Sequence, residues 1–146
     1  MIVRSVEQGD AEWDALIEYA DKCSWRAGPY LAKMMRSGVL TGWERVFAAS
    51  EAGEFAGFCT LIREDCIPDA PYTPYVGFVF VGEPHRGKRI SQTLIGSALE
   101  YAKGLGFQKV YLTSREVGLY EKYGFVKLED RKDQWGEEEQ IFSITL

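Results

Sequence analysis

The sequence predicts an α/β (α+β) domain built on one mixed sheet of six to seven strands flanked by about four helices. Three observations carry this. Short β-branched and aromatic runs alternate with segments of 3.6-residue apolar periodicity along all 146 residues. One run, Tyr75–Val81, is apolar without alternation, as in a central strand buried on both faces. The composition, 46% hydrophobic and 27% charged, is globular rather than disordered. A chain of this length fits one domain, spanning residues 1–146.

Met1–Val6 reads as the first strand. Trp13, Leu16, Ile17 and Ala20 repeat at i, i+3, i+4, i+7, so Asp10 to Lys22 reads as an amphipathic helix with Asp10 as its N-cap. Pro29 to Ser37 reads as a second helix, with proline in its first turn and Gly38 as its stop. Arg45–Ala49 and Phe55–Ile62 flank the turn Glu51-Ala52-Gly53-Glu54 as a hairpin. A loop with Asp65, Pro68, Asp69, Pro71 and Pro74 leads into Tyr75–Val81, where Gly77 hints at a bulge or a close backbone approach. Ser91 to Lys103 is a long helix turning Leu94, Ile95, Ala98, Leu99 and Ala102 inward, ended by Gly104 and Gly106. Lys109–Thr113 is a strand, Val117–Tyr123 a short helix, and Phe125–Glu129 and Gln140–Leu146 are closing strands. Glu137-Glu138-Glu139 reads as a solvated turn before the last of them.

Several function classes fall away. No run approaches the ~18 apolar residues of a membrane span. Met1 to Val6 lacks the apolar stretch of a signal peptide, which predicts a cytoplasmic location. A net charge of −5 argues against a nucleic-acid binder. Cys23, Cys59 and Cys66 show no CxxC spacing and the chain has one histidine, so no metal site is expected and the cysteines read as reduced, small hydrophobes.

The charge has one local exception: His85-Arg86-Gly87-Lys88-Arg89 holds three cations in five residues. A buried strand runs into this glycine-containing turn and the turn runs straight into a helix. The first four N–H groups of a helix have no internal partner, and the dipole adds positive charge there, so the segment reads as a phosphate site. Arg86, Lys88 and Arg89 add charge-assisted contacts. Gly82-x-x-x-x-Gly87-Lys88 fits a P-loop up to its last position. Arg89 stands there in place of the Ser/Thr that ligates Mg²⁺, which argues against nucleotide hydrolysis.

A second motif, Leu119-Tyr120-Glu121-Lys122-Tyr123-Gly124-Phe125, follows. Together with the basic loop it resembles the GNAT superfamily of acyl-CoA-dependent N-acetyltransferases. Members carry Arg/Gln-x-x-Gly-x-Gly/Ala after the fourth strand and, about thirty residues later, a segment like Leu-Tyr-Glu-Lys-x-Gly-Phe. The strand order matches over nearly the whole chain. In the loop Arg86 stands where the first Arg/Gln belongs. Arg89 replaces a glycine of the pattern, and Ser91, a small residue and good helix cap, replaces its last Gly/Ala.

The resemblance implies a GNAT-like, mostly antiparallel sheet and acetyl-CoA as co-substrate. The acetyl group would pass to a primary amine of a small molecule by direct attack in a ternary complex. It implies that the Gly87-Lys88-Arg89-Ile90-Ser91 amides, with Arg86, hold the pyrophosphate. Backbone groups of Val79 and Val81 would pair with the pantetheine arm. It makes Tyr120 the general acid for the departing thiolate, while Tyr123 belongs to the core. For the base, Glu83 and His85 stand ahead of Asp65 and Asp69. Trp25, Tyr30, Asp69 and Tyr75 are expected to flank the acceptor, since aromatics with a few acids can hold a cationic amine. The partners implied are a small-molecule amine, with no nucleic acid and no membrane; a homodimer is compatible with this. A non-catalytic acyl-CoA sensor or regulatory module is the alternative.

Overall fold

The computed structural model describes all 146 residues, Met1–Leu146. Its strands are β1 (Ile2–Val6), β2 (Arg45–Glu51), β3 (Glu54–Ile62), β4 (Tyr75–Val81), β5 (Lys109–Ser114), β6 (Val126–Lys132) and β7 (Glu138–Thr145). The helices are α1 (Trp13–Lys22), α2 (Gly28–Ser37) and α3 (Ile90–Gly104). The seven strands form one sheet in the order β1-β2-β3-β4-β5-β7-β6, antiparallel throughout except for β4 and β5.

The apolar pattern decides which face each helix covers. Trp13, Leu16, Ile17 and Ala20 of α1 and Leu31, Ala32 and Met35 of α2 are buried with Val46, Ala48, Phe58 and Phe80 on one face of the sheet. Leu94, Ile95, Ala98 and Ala102 of α3 are buried on the other, with Phe47, Cys59, Leu61, Val76, Val110, Leu112 and Phe142. A fully buried Leu, Ile or Phe is worth about 1.5–3 kcal/mol, so these two layers hold the sheet between the helices.

Three local expectations are corrected. There are three α-helices, not about four: the segment around Tyr120 is a single 3-10 turn, Tyr120–Tyr123, ended by Gly124 at φ +97°. Asp10 does not cap α1. Its carboxylate accepts the Glu7 N–H at 2.8 Å and closes the turn before the helix, which begins at Trp13 without a side-chain cap. Ser91 does not cap α3 either, because that helix starts one residue earlier, at Ile90.

The β2–β3 hairpin is longer than the sequence suggests. Glu51 pairs with Glu54, leaving a two-residue loop in which Ala52 has φ +50° and Gly53 φ +80°. Positive φ at both central positions is the type I′ turn, whose first position favours Asn. Ala52→Asn is therefore expected to raise stability by about 0.5–1 kcal/mol, readable as a melting-temperature gain of a few degrees.

The site is made by one irregularity in β4. Phe58 pairs with Phe80 and Thr60 with Gly77, so Phe78 and Val79 together oppose Cys59. That is a β-bulge, and Phe78 carries a left-handed φ of +47°. On its other side β4 leaves its neighbour before the bulge is reached: β4 and β5 pair only at Tyr75 and Tyr111, with the Tyr111 N–H donating to Pro74 O at 2.9 Å. The two parallel strands splay apart in the middle of the sheet.

Candidate active site

The splay opens a cleft of about 2100 Å³. Trp25, Tyr30 and Val39 line it from the α1–α2 side, Asp65 and Cys66 from the loop after β3, and Gly77–Val79 from β4. Thr113–Val117 and Tyr120 line it from β5 and the turn after it, and Asp133, Trp135 and Glu139 from the β6–β7 hairpin. Beyond Tyr75 the β4 edge facing β5 is unpaired, so its backbone groups are open to an added strand.

At the end of β4 the chain makes a 3-10 turn, Glu83–His85, and enters α3 through Gly87 (φ +84°) and Arg89 (φ +60°). Six successive amides, Gly87 to Gln92, donate no hydrogen bond within the chain; the first bond into the helix is Thr93 N–H to Arg89 O at 3.2 Å. The first turn of α3 carries no acid, although an acid there would be favoured by the dipole. The positive end of α3 thus has neither an acidic side chain nor a side-chain cap of its own.

The basic side chains are divided. Lys88 Nζ donates to Glu51 Oε2 at 3.1 Å, and His85 Nδ1 lies 3.2 Å from the same oxygen. Hydrogen bonds from Lys88 first, and then from His85, hold the Glu51 carboxyl below its usual range. Arg86 Nε donates to Val81 O at 3.1 Å. The Arg89 guanidinium has no acidic partner and is exposed. Ser91 Oγ lies 2.9 Å from the Tyr123 hydroxyl, which ties the start of α3 to the turn that carries Tyr120.

Tyr120 is buried, packed edge-on against Tyr123 and Phe125. Burial pushes its phenol up to about 12, the Glu116 charge pushes the same way, and Ser114 beside the hydroxyl draws it partly back. The phenol therefore keeps its proton throughout the neutral range.

The remaining sequence candidates are scattered. Val79 lines the cleft with Tyr120, Trp25 and Tyr30. Glu83 is exposed and His85 is held by Glu51, and neither lines the cleft. Asp69 is an exposed turn residue at φ +58°, outside the cleft. Tyr75 is buried at 2% exposure, with its hydroxyl unpartnered.

The cleft also holds carboxylates that sequence reasoning did not favour. Asp65 accepts the Cys66 N–H at 2.7 Å and the Thr113 hydroxyl at 3.2 Å, and burial raises its pKa. Glu139, read as part of a solvated turn, belongs to β7 and pairs with Arg115, which also reaches Asp133 at 3.5 Å. The ligand atoms of Cys66, Asp133 and Glu139 lie within 4.8 Å of one another. Arg115 already balances both carboxylates, and burial pushes the Cys66 thiol up to about 12, so this group is poorly suited to a cation.

The family model for GNAT acetyltransferases matches residues 10–125. The chain belongs to the GNAT acetyltransferase family. Solved structures carry the same fold over nearly this whole GNAT chain. An aminoglycoside 6'-N-acetyltransferase complexed with coenzyme A superposes with a TM-score of 0.72 at 15% identity, over 99% of this chain and 97% of that one. A spermidine N-acetyltransferase chimera from Vibrio cholerae and hSSAT gives 0.69 at 19% identity, covering 99% and 96%. A GNAT acetyltransferase from Elizabethkingia anophelis with acetyl-CoA bound gives 0.68 at 16%, covering 99% and 97%. No curated protein matches the sequence. No helix is long and apolar enough to cross a membrane.

Proposed function

We propose that the protein transfers an acetyl group from acetyl-CoA to the primary amine of a small molecule, by direct attack with both substrates bound. The observation that carries this reading is the run of six unpaired amides from Gly87 to Gln92 at the start of α3, which the Ser91–Tyr123 contact holds beside the turn that carries Tyr120. The amides and the positive end of α3 suit a diphosphate, and Arg86, Lys88 and Arg89 add charge around it. Val79 and Val81 offer backbone groups on the open edge of β4 to the amide-bearing arm of the cofactor. Arg86 Nε donates to the Val81 carbonyl, so an amide of the cofactor arm that pairs there would take the place of this contact. The amine nitrogen attacks the thioester carbon, an N–C bond forms as the C–S bond breaks, the Tyr120 phenol donates to the departing sulfur, and the proton that the nitrogen loses ends on the thiolate as free thiol.

The decisive experiment is calorimetry with coenzyme A, followed by a free-thiol assay with acetyl-CoA over a panel of primary amines. Heat and turnover are both expected. Binding without turnover on any amine would favour the acyl-CoA sensor, and no heat with coenzyme A would end the proposal.

Arg89 supplies a sharper local test. A left-handed φ costs a non-glycine residue about 1–2 kcal/mol, while glycine adds about 0.5–1 kcal/mol of unfolded-state entropy. Arg89→Gly is expected to raise stability by about 0.5 kcal/mol and to weaken coenzyme A binding severalfold, through loss of the guanidinium. Calorimetry beside a thermal melt reads both.

A further inference from the structure

The floor of the cleft has its own chemistry, on the face of the sheet opposite Tyr120. Tyr120 packs with Cys59 and Val76 on the α3 face, whereas Thr60, Gly77 and Tyr75 point to the other one, with Phe58 and Phe80. Asp65 reaches this second face from the loop after β3, and Thr113 from β5.

Glu64, Glu116 and Glu137 line the cleft as exposed carboxylates; among the less exposed ones the cations are unevenly shared. Glu44 has Arg63 at 2.7 Å, and Asp133 and Glu139 share Arg115. Asp65 has only neutral donors, the Thr113 hydroxyl and the Cys66 amide. A carboxylate taken out of water without a countercharge is costly, and burial raises its pKa accordingly.

Beside it lie two buried hydroxyls without partners, Thr60 Oγ1 (0% exposed) and the Tyr75 phenol (2%). Each such orphan also costs stability. Two of these oxygens, Thr60 Oγ1 and Asp65 Oδ2, converge above Gly77. A Cβ on that glycine would stand 3.3 Å from Thr60 Oγ1 and 3.4 Å from Asp65 Oδ2, so the missing side chain leaves the space between them open.

We infer that Asp65, Thr60 and Tyr75 form the ammonium subsite of the acceptor, and that the acceptor is a primary amine on an aromatic body. The inference rests on the acetyl-transfer reading above. A primary ammonium has three N–H donors and one positive charge, which suits two unpartnered hydroxyl oxygens beside a carboxylate that has no countercharge. The body is set by the walls. Trp25 and Phe78 stand in the cleft at 6.2 Å from each other, and its rim carries exposed Tyr30, Val39, Val117 and Trp135. Apolar surface concentrated at one cleft marks a binding site. Once bound, the ammonium gives one proton to Asp65: its N–H bond breaks, a carboxyl O–H forms, and the nitrogen lone pair is freed for attack.

The test is calorimetry on the full chain with phenethylamine, 2-phenylethanol and spermidine as probes. Phenethylamine is expected to bind, and 2-phenylethanol and spermidine to bind at least tenfold more weakly. Asp65→Asn should weaken phenethylamine at least tenfold while the heat of coenzyme A binding is retained. Thr60→Val removes an orphan hydroxyl, so it should raise the melting temperature and still weaken the amine, a pairing that a purely structural role would not give. Equal binding by wild type and either variant, no heat with phenethylamine, or tighter binding of spermidine overturns the inference. Loss of the coenzyme A heat alone would instead strike the acetyl-transfer reading, because the amine titration is run without cofactor.

Discussion

Tyr120→Phe is expected to lower kcat by about 10²–10³, while leaving coenzyme A affinity and melting temperature near the wild-type values. The magnitude follows from what the phenol can do. Burial holds it at about 12, whereas a thiol ordinarily titrates near 8.5, so complete proton transfer to a free thiolate would be uphill by several kcal/mol. Its larger contribution is a charge-assisted hydrogen bond to sulfur as negative charge develops there, worth about 2.7–4 kcal/mol when such a donor is removed from a dry site. The ring itself packs on Tyr123, Phe125 and Phe142, and phenylalanine keeps those contacts. The raised pKa has a sign that can be checked. The acid form persists until pH approaches 12, so kcat should show no alkaline decline near pH 10, where an unperturbed tyrosine would be half ionised. A thiol-release assay on wild type and variant decides it; unchanged kcat in Tyr120→Phe would remove the phenol from the reaction.

The sheet and its helices were legible because burial writes a period into the chain. Leu16 and Ile17 on α1 and Leu94 and Ile95 on α3 announce their buried faces, and Tyr75–Val81 announces a strand covered on both sides. The family motif brought Tyr120 to notice, although the segment that carries it is too short for an α-helix. What the sequence concealed are relations between distant residues. His85 and Lys88 read as part of a basic loop, yet both turn to Glu51, which stands 34 and 37 positions earlier. Asp65 sits in a run of loop-forming residues that reads as solvated. Only its contact with Thr113, 48 positions later, brings it into the cleft. Gly77 did signal an irregular strand, but the residue that takes the left-handed conformation is its neighbour Phe78.

The bulge ties the two halves of the site together. Because Phe78 and Val79 share one partner, Gly77, Phe78 and Phe80 face the acceptor side, while Val79 and Val81 face α3. A regular strand could not keep Gly77 beside Asp65 and also present Val79 and Val81 on the α3 face, since removing one residue exchanges the faces of all that follow. The bulge lies just past the last β4–β5 pair, Tyr75 with Tyr111, where the edge between the two strands is open. One added residue thus sets which face each half of β4 presents.

Ser91→Asp should divide stability from binding. An acid in the first turn of a helix is favoured by the dipole by about 0.3–1 kcal/mol, and the new carboxylate can still accept from the Tyr123 hydroxyl that now meets Ser91 Oγ. The fold should therefore melt at the same temperature or slightly higher. Coenzyme A should bind about a hundredfold more weakly, because a like charge about 6 Å away at an effective dielectric of 20 costs about 3 kcal/mol. Salt separates this from a steric effect: the gap between wild type and variant should narrow as ionic strength rises, since counterions screen the repulsion. Ser91→Ala, which carries no charge, should bind coenzyme A within a few-fold of wild type. If Ser91→Asp binds as tightly as the parent chain, the diphosphate does not sit at the open amides of Gly87 to Gln92, and the acetyl-transfer reading loses the feature that supports it most.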